Sequence, residues 1–164
     1  MKQFSLTICV LLLVGMLVTV SVYSTDIDAT VTPQNISLSV LDTSIAYGSV
    51  ALGAQKSTLD TGDNPDVVNT GNVAENFLVK GWDTTGTGQL WILDSSTSTQ
   101  DHYINEWSVT GAFPGTALTV SNVTATSGVP VNSTSTLDLR IGTPGSSTDY
   151  NLKNIKVTVT AEAN

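Results

Sequence analysis

The chain has 164 residues, with six basic against 14 acidic side chains and a net charge of −8 at pH 7. An acidic surface of this kind argues against nucleic acid or anionic lipid as a partner. One cysteine, Cys9, and one histidine, His102, exclude a disulfide framework and metal sites rich in histidine and cysteine.

The first 24 residues have the features of an export signal. Lys2 provides a short basic start, residues 4–23 carry no charge, and the small Ser24 precedes a polar chain. This order is typical of a signal peptide, and we expect cleavage after Ser24 or Ala29. The alternative is a retained hydrophobic helix, because about 20 uncharged residues suffice to span a bilayer. Either way, the rest of the chain is expected outside the cytoplasmic membrane, at the cell surface, and only this segment would enter the membrane.

Residues 25–33 are polar, and Pro33 discourages regular strand pairing. We interpret them as a tether before one domain, residues 34–164, because about 140 residues suffice for one core and would be cramped for two. Without residues 1–24, five basic residues oppose 14 acidic ones, a net charge of −9. Ser and Thr supply 43 of the 164 residues. Aliphatic and aromatic residues nevertheless recur throughout, which predicts a folded chain.

After the tether, the chain predicts short strands and no helix. Strands with one apolar and one polar face are predicted at 36–40, 103–109, 118–120, 137–141 and 155–159. Segments that are apolar on both faces, suited to central strands or to strands that cover an edge, are 45–52, 77–82 and 90–93. The alternation places Tyr103, Asn105, Trp107 and Val109 on one face. About eight or nine strands joined by turns predict an all-β fold, a single antiparallel β-sandwich of immunoglobulin-like or jelly-roll-like type.

The chain lacks a recognisable catalytic constellation. His102 is accompanied by no Gly-x-Ser-x-Gly motif that would signal a serine nucleophile. Asp101 and Glu106 are five positions apart, an odd spacing, so they would point to opposite faces of a continuous strand rather than into one cleft. We therefore expect a protein that is not an enzyme, with His102 in a loop.

Residues 60–66 admit a calcium hypothesis. Asp60, Asp63 and Asp66 would supply hard oxygen ligands on a turn that contains Gly62, and such ligands suit Ca²⁺. The spacing differs from that of an EF-hand. Because Asp, Asn, Gly and Pro are also the ordinary residues of turns, an ordinary turn is the alternative. A structural calcium ion is the only cofactor hypothesis that the sequence suggests.

Three tryptophans, Trp82, Trp91 and Trp107, fall within 26 residues. Aromatic side chains on a sheet can stack against sugar rings, and packing in the core is the alternative for each of them. The alternation places Trp107 in the core with Tyr103. Trp82 and Trp91 are therefore the candidates for carbohydrate binding.

Glycosylation sequons of the form Asn-x-Ser/Thr begin at Asn35, Asn122 and Asn132. Three sequons are no more than chance predicts in a chain so rich in Ser and Thr. Asn35 is expected on the solvent face, opposite Ile36 and Leu38, and Asn132 in a turn. Both would be accessible to an export-side glycosyltransferase, if the organism has one.

Several stretches carry a resemblance to a known class of domain. These are Ser44-Ile-Ala-Tyr-Gly-Ser-Val, Val67-Val-Asn-Thr-Gly-Asn, and the ending from Gly142-Thr-Pro-Gly to Ile155-Lys-Val-Thr-Val-Thr-Ala. In this respect the chain resembles exported immunoglobulin-like domains of prokaryotic pilus, matrix-fibre and surface-layer subunits. The resemblance implies a β-sandwich and a role in assembly. Some of these subunits polymerise by lending an N-terminal strand to the next subunit, and residues 26–40 would be the counterpart here.

These features predict a non-enzymatic structural protein of the cell surface, a filament, pilus-like or surface-layer subunit. It would assemble with itself or with other surface proteins through strand or edge contacts, because an edge strand exposes unpaired backbone groups. The candidate assembly residues, each of which has core packing as its alternative role, are Ile36, Leu38, Val40, Val157 and Val159. The alternative function is a carbohydrate-binding or adhesive module that uses exposed Trp82 and Trp91, with glycans as partners.

Overall fold

The computed structural model describes residues 23–96 and 98–164. The predicted hydrophobic helix of the export segment therefore lies outside the described residues. Within those residues, no helix combines the length and apolar character needed to cross a membrane. Residues 33–164 form one compact unit, and residues 23–32 have no regular secondary structure.

The regular secondary structure of the described residues is almost entirely β-strand, which confirms the predicted all-β class. The strands are β1 (Leu38–Leu41), β2 (Gln55–Ser57), β3 (Asp66–Asn69), β4 (Glu75–Gly81), β5 (Thr85–Gly86), β6 (Ile92–Asp94), β7 (His102–Ser108), β8 (Thr116–Ala117), β9 (Val123–Val129), β10 (Thr134–Thr136), β11 (Asp138–Gly142), β12 (Lys153–Asn154) and β13 (Val157–Ala163). Eight or nine strands was an underestimate. The strands without a sequence signal, such as β9 and β10, are rich in Ser and Thr and lack a strongly apolar face.

The strands form four sheets. Their orders are β1-β3-β10, β13-β4-β9, β2-β11-β7-β6 with β8 also on β7, and the two-stranded β12-β5. All pairs are antiparallel except β6 and β7, which are parallel. The prediction of a two-sided apolar strand at 77–82 is confirmed, because β4 is a central strand that pairs with β13 and with β9.

Two predicted strands are absent from the described structure. Residues 45–52 form no strand. Gly48, with a left-handed φ of 66°, interrupts this stretch, and Gly53, with a left-handed φ of 72°, follows directly after it. Residues 118–120 form no strand because their bonds go to two sheets. The N–H of Leu118 donates to Asn105 of β7, whereas the carbonyl of Thr119 accepts from Gly81 of β4.

One short helix, α1 (Thr58–Thr61), contradicts the expectation of no helix. Its first turn is held by a capping box. The Ser57 hydroxyl accepts from the N–H of Asp60, and the Asp60 carboxylate accepts from the N–H of Ser57 at 2.8 Å. Ser57-x-x-Asp60 is the sequence signature of such a box. This signature could have predicted the helix, which is too short to show helical periodicity.

The buried core draws on three of the sheets. Its fully buried members are Val67, Phe77, Val79, Trp107, Leu118, Val129, Leu137 and Leu139. Gly81 packs closely against this core, because a Cβ there would meet the Leu93 side chain at 2.6 Å and the Leu118 Cβ at 3.1 Å. Every strand and every core residue among the described residues belongs to residues 33–164, so this part of the chain has what it needs to fold without residues 23–32.

Candidate functional site

A groove of about 1140 Å³ runs beside strand β13. Its apolar wall is formed by Leu139 and Ile141 of β11 together with Val157 and Val159 of β13. Residues 45–52, which form no strand, and residues 149–155, which include β12, supply most of the remaining lining. Tyr150 and Leu152 in the second stretch are 81% and 80% exposed, so the rim presents large apolar side chains to solvent.

Strand β13 is an open edge of its sheet. Among the described residues it pairs with β4 along Val157–Ala163 and with no strand on its other side. Val157 and Val159 are half-buried and pack against the core from this edge. An unpaired edge strand presents a row of backbone donors and acceptors to any extended segment that reaches it. The groove therefore combines an apolar wall with an unpaired main chain.

Two polar side chains of the groove lining are buried without a hydrogen-bond partner among the described residues. Asn105 of β7 is 1% exposed, and neither the oxygen nor the nitrogen of its carboxamide is bonded. The hydroxyl of Tyr47 is also buried and unbonded. Burial raises the pKa of Tyr47 well above its usual value, and the nearby Asp63 carboxylate adds to this rise. Buried polar groups without a hydrogen-bond partner are few in native proteins, so each one needs a physical explanation.

The loop before residues 149–155 is held by one carboxylate. Asp101 accepts from the Ser147 hydroxyl at 2.6 Å and from the Thr148 N–H and hydroxyl at 3.1 Å each. The hydrogen bond from Ser147, followed by those from Thr148, lowers the pKa of Asp101 below its ordinary value. The groove rim is thus anchored by an ionised Asp101.

This anchor predicts an acid-dependent loss of stability. Because the pKa of Asp101 is lower in the folded chain, its contribution is fully present above the ordinary value of 3.8 and is lost as the pH falls through the folded-state pKa. We expect Asp101→Asn to lower the free energy of unfolding at pH 7, and the difference from the native chain to shrink as the pH falls towards 2.5. Urea unfolding across this range measures the difference, with Asp28→Asn on the exposed segment 23–32 as the control. A difference that does not change with pH would contradict the anchor.

The predicted assembly residues fall into two groups in the structure. Leu38 and Val40 lie in β1, which pairs with β3, and both pack against the core of their own chain. Ile36, just before β1, is 43% exposed. Val157 and Val159 line the groove at the edge of β13. Their shared role in assembly stays a prediction. Among the described residues β1 and β13 are both edge strands, and Val40 lines the groove together with Val157 and Val159.

The three carboxylates of the calcium hypothesis are each engaged by the chain. Asp60 caps α1, Asp63 accepts from the N–H of Ala46 at 3.0 Å, and Asp66 accepts from the Thr136 hydroxyl at 2.6 Å. Within residues 23–96 and 98–164, no group of three or more Asp, Glu, His or Cys side chains is placed to hold a metal ion. The calcium site stays an untested prediction.

Trp82 and Trp91, the carbohydrate candidates, have different surroundings. Trp82 is 39% exposed, donates to the Thr158 hydroxyl at 2.9 Å, and lies beneath the ammonium groups of Lys80 and Lys156, 4.3 and 5.2 Å from its ring centre. Trp91 is half-buried in the groove lining and donates to Ser147 at 3.1 Å. The ring of Trp82 is therefore already in contact with two cations.

The remaining predicted residues lie as follows. Asn35, Asn122 and Asn132 are all exposed, and Asn132 lies in a turn with a left-handed φ of 61°. His102 is not in a loop but begins β7, where its Nδ1 lies 3.5 Å from a carboxylate oxygen of Asp94. Glu106 pairs across the sheet with Arg140, whose Nε donates to it at 2.6 Å.

The sequence did not predict that the side-chain amide of Asn105 lacks a hydrogen-bond partner among the described residues, or that residues 45–52 around Tyr47 line a groove. The alternation placed Asn105 on the buried face, which the structure confirms, but a buried amide is usually satisfied by a neighbour. Only the tertiary structure shows that no described neighbour reaches it. Compared with protein-family models, with characterised proteins and with solved structures, the chain matches none.

Proposed function

We propose that this chain is a non-enzymatic structural subunit of the cell surface, whose larger sheets form a β-sandwich and whose groove accepts a strand from a second copy. The observation that supports this function most directly is the unpaired edge of β13 beside an apolar groove. An extended segment that enters the groove would complete the ladder of β13 and cover Val157 and Val159. This is recognition by strand addition, in which main-chain bonds supply affinity and alternate side chains supply specificity.

The segment that fits this role is Tyr23–Thr32. Its odd-numbered residues are Tyr23, Thr25, Ile27, Ala29 and Val31, whereas its even-numbered residues are Ser, Asp or Thr. Successive side chains of a strand point to opposite faces, so this segment would have one mostly apolar face and one polar, acidic face. Tyr23, Ile27 and Val31 are 92%, 91% and 90% exposed. The tether that the composition predicts thus has the pattern of a strand without a partner.

The dimensions agree with this assignment. Residues 25–32 would span about 27 Å when extended, and the seven residues of β13 span about 24 Å, at roughly 3.4 Å per residue. Cleavage of the export signal after Ser24 would leave this segment at the new N-terminus, with Ile27, Ala29 and Val31 intact. Retention of the signal would instead make it a stalk.

The strand that follows is less suited to be donated. Ser37 donates its N–H to a carboxylate oxygen of the buried Glu75 at 2.8 Å, and its carbonyl accepts from Thr70. Residues 38–41 continue this ladder along β3. Donating residues 36–40 would open the core of the donor, whereas donating residues 25–32 would break no hydrogen bond of a described strand.

Other features support the same proposal. The predicted export segment, the acidic surface and the absence of catalytic motifs all agree with a structural subunit at the cell surface. The sequence also resembles prokaryotic surface subunits. A contact in which the N-terminal segment of one copy enters the groove of the next is heterologous, so it propagates into filaments unless the rotation closes a ring.

A comparison of two chains tests the proposal. A chain that begins at Thr25 is expected to form oligomers or fibres, whereas a chain of residues 33–164 should stay a monomer. Light scattering after size exclusion and negative-stain microscopy measure both, and thermal unfolding checks that residues 33–164 fold. A synthetic peptide of residues 25–32 should bind the shorter chain. A longer chain that remains monomeric at its highest soluble concentration, including one whose segment fills its own groove, would overturn assembly between copies.

A further inference from the structure

We propose that Asn105 is a positioning residue that binds the main chain of the strand entering the groove, through both atoms of its side-chain amide. This inference rests on the proposed function and adds to it a residue that selects an extended peptide as the occupant. No sequence motif marks the position. Its distinguishing feature is burial without a hydrogen-bond partner among the described residues.

Asn105 is a polar residue on the buried, aromatic face of β7. Tyr103 and Trp107, which share its face, are 0% and 8% exposed and belong to the interior. In the adjacent strand, Asn105 lies opposite Ile141, another residue of the groove wall. A carboxamide at such a position is costly when neither its donor nor its acceptor is bonded. Leucine has the same number of heavy atoms and would carry no such penalty, so the amide is best explained by a ligand that bonds it.

The chemistry of the amide indicates what that ligand is. A carboxamide offers two N–H donors and one carbonyl acceptor in one plane. A peptide group offers the complementary pair, a carbonyl acceptor and an N–H donor. The adjacent wall of Leu139, Ile141, Val157 and Val159 suits aliphatic side chains rather than the hydroxyl groups of a sugar. An extended peptide with aliphatic residues on one face satisfies both parts of the groove.

The Tyr47 hydroxyl provides a second polar group in the same lining. It is buried and unbonded among the described residues, and it comes from residues 45–52 rather than from β7. A strand whose apolar side chains enter the groove still carries main-chain groups that must be bonded once water is excluded. Asn105 and Tyr47 are placed in the lining to bond them, and the free edge of β13 bonds the rest.

The test compares the native 33–164 chain with its Asn105→Leu variant. The probe is the synthetic peptide of residues 25–32, measured by titration calorimetry. We expect the variant to bind the peptide about tenfold more weakly or worse, because two hydrogen bonds are lost. We also expect its Tm without peptide to rise by about 3 °C or more, because an unpartnered buried amide has been removed. A residue with a purely structural role would not give weaker binding together with higher stability.

Asn122→Leu is the matched control. It makes the same substitution at an exposed amide that does not line the groove, just before β9, and β9 lies on the side of β4 away from β13. This change should leave the affinity for the peptide unaltered. Tyr47→Phe should weaken binding less than Asn105→Leu, since it removes one hydroxyl rather than a donor and acceptor pair.

The outcomes separate the two proposals. If the native chain does not bind the peptide and the longer chain does not associate, the proposed function fails. If the native chain binds and Asn105→Leu binds equally well, the role of Asn105 alone is refuted. Should the leucine variant not fold, the side-chain NH₂ signals of Asn105 in the native chain decide by NMR. They should shift when the peptide of residues 25–32 is added, and unshifted signals in the peptide-bound chain would overturn the inference.

Discussion

Replacing Ile27 and Val31 together by Asp is expected to abolish association of a chain that begins at Thr25. Both side chains lie on the apolar face of the alternating segment. In the single chain Ile27 is 91% exposed and Val31 is 90% exposed. In the assembled state they would enter a groove walled by aliphatic residues. A carboxylate buried there without a cation would cost several kcal/mol at each site. The expected result is a monomer by light scattering at concentrations where the native chain assembles.

The matched control for this prediction is Thr30→Asp with Thr32→Asp. It adds the same two charges to the same segment, but on the face that already carries Asp26 and Asp28. This variant should still associate, because that face stays in solvent in an added strand. If both variants lose association equally, the charge of the segment and not its alternating pattern governs assembly. If neither loses it, residues 25–32 are not the donated strand.

Phe77→Ala is expected to remove a large part of the stability of the domain. Phe77 is 2% exposed in the central strand β4, between β13 on one side and β9 on the other. Truncating a buried phenylalanine costs about 3–5 kcal/mol, because contacts are lost and a cavity remains. The whole stability of a domain is roughly 5–15 kcal/mol. Urea unfolding of the 33–164 chain should therefore show a large fall in the midpoint.

The control for Phe77 is Glu162→Ala in the paired strand β13. Glu162 is exposed, so its removal should change the free energy of unfolding by less than about 0.5 kcal/mol. Because β4 is the described strand that pairs with β13, loss of Phe77 should also weaken binding of the peptide of residues 25–32. A Phe77→Ala chain with native stability would show that the core does not depend on β4.

Several elements of the fold follow from local patterns. Alternation in 137–141 predicted a strand whose Leu137, Leu139 and Ile141 are buried, and all three are 3% exposed. The two-sided apolar run at 77–82 predicted either a central strand or a strand that covers an edge, and β4 is central. The prediction for 137–141 succeeded because a half-buried strand imposes a period of two on its own sequence. Where the chain crosses between sheets, as at Leu118, or turns at glycine, as at Gly48, the same apolar residues form no strand.

The sequence by itself determined the all-β class, the buried face of β7 and the alternating pattern of residues 23–32, because each depends on the order of neighbouring residues. The tertiary structure alone decided that β13 lies at an edge of its sheet, since strand pairing joins residues far apart in the chain, such as Val157 with Gly81. It also decided that the Asn105 amide is buried without a described partner. Hydrogen-bond satisfaction depends on every group that folding brings near, and no local pattern records it.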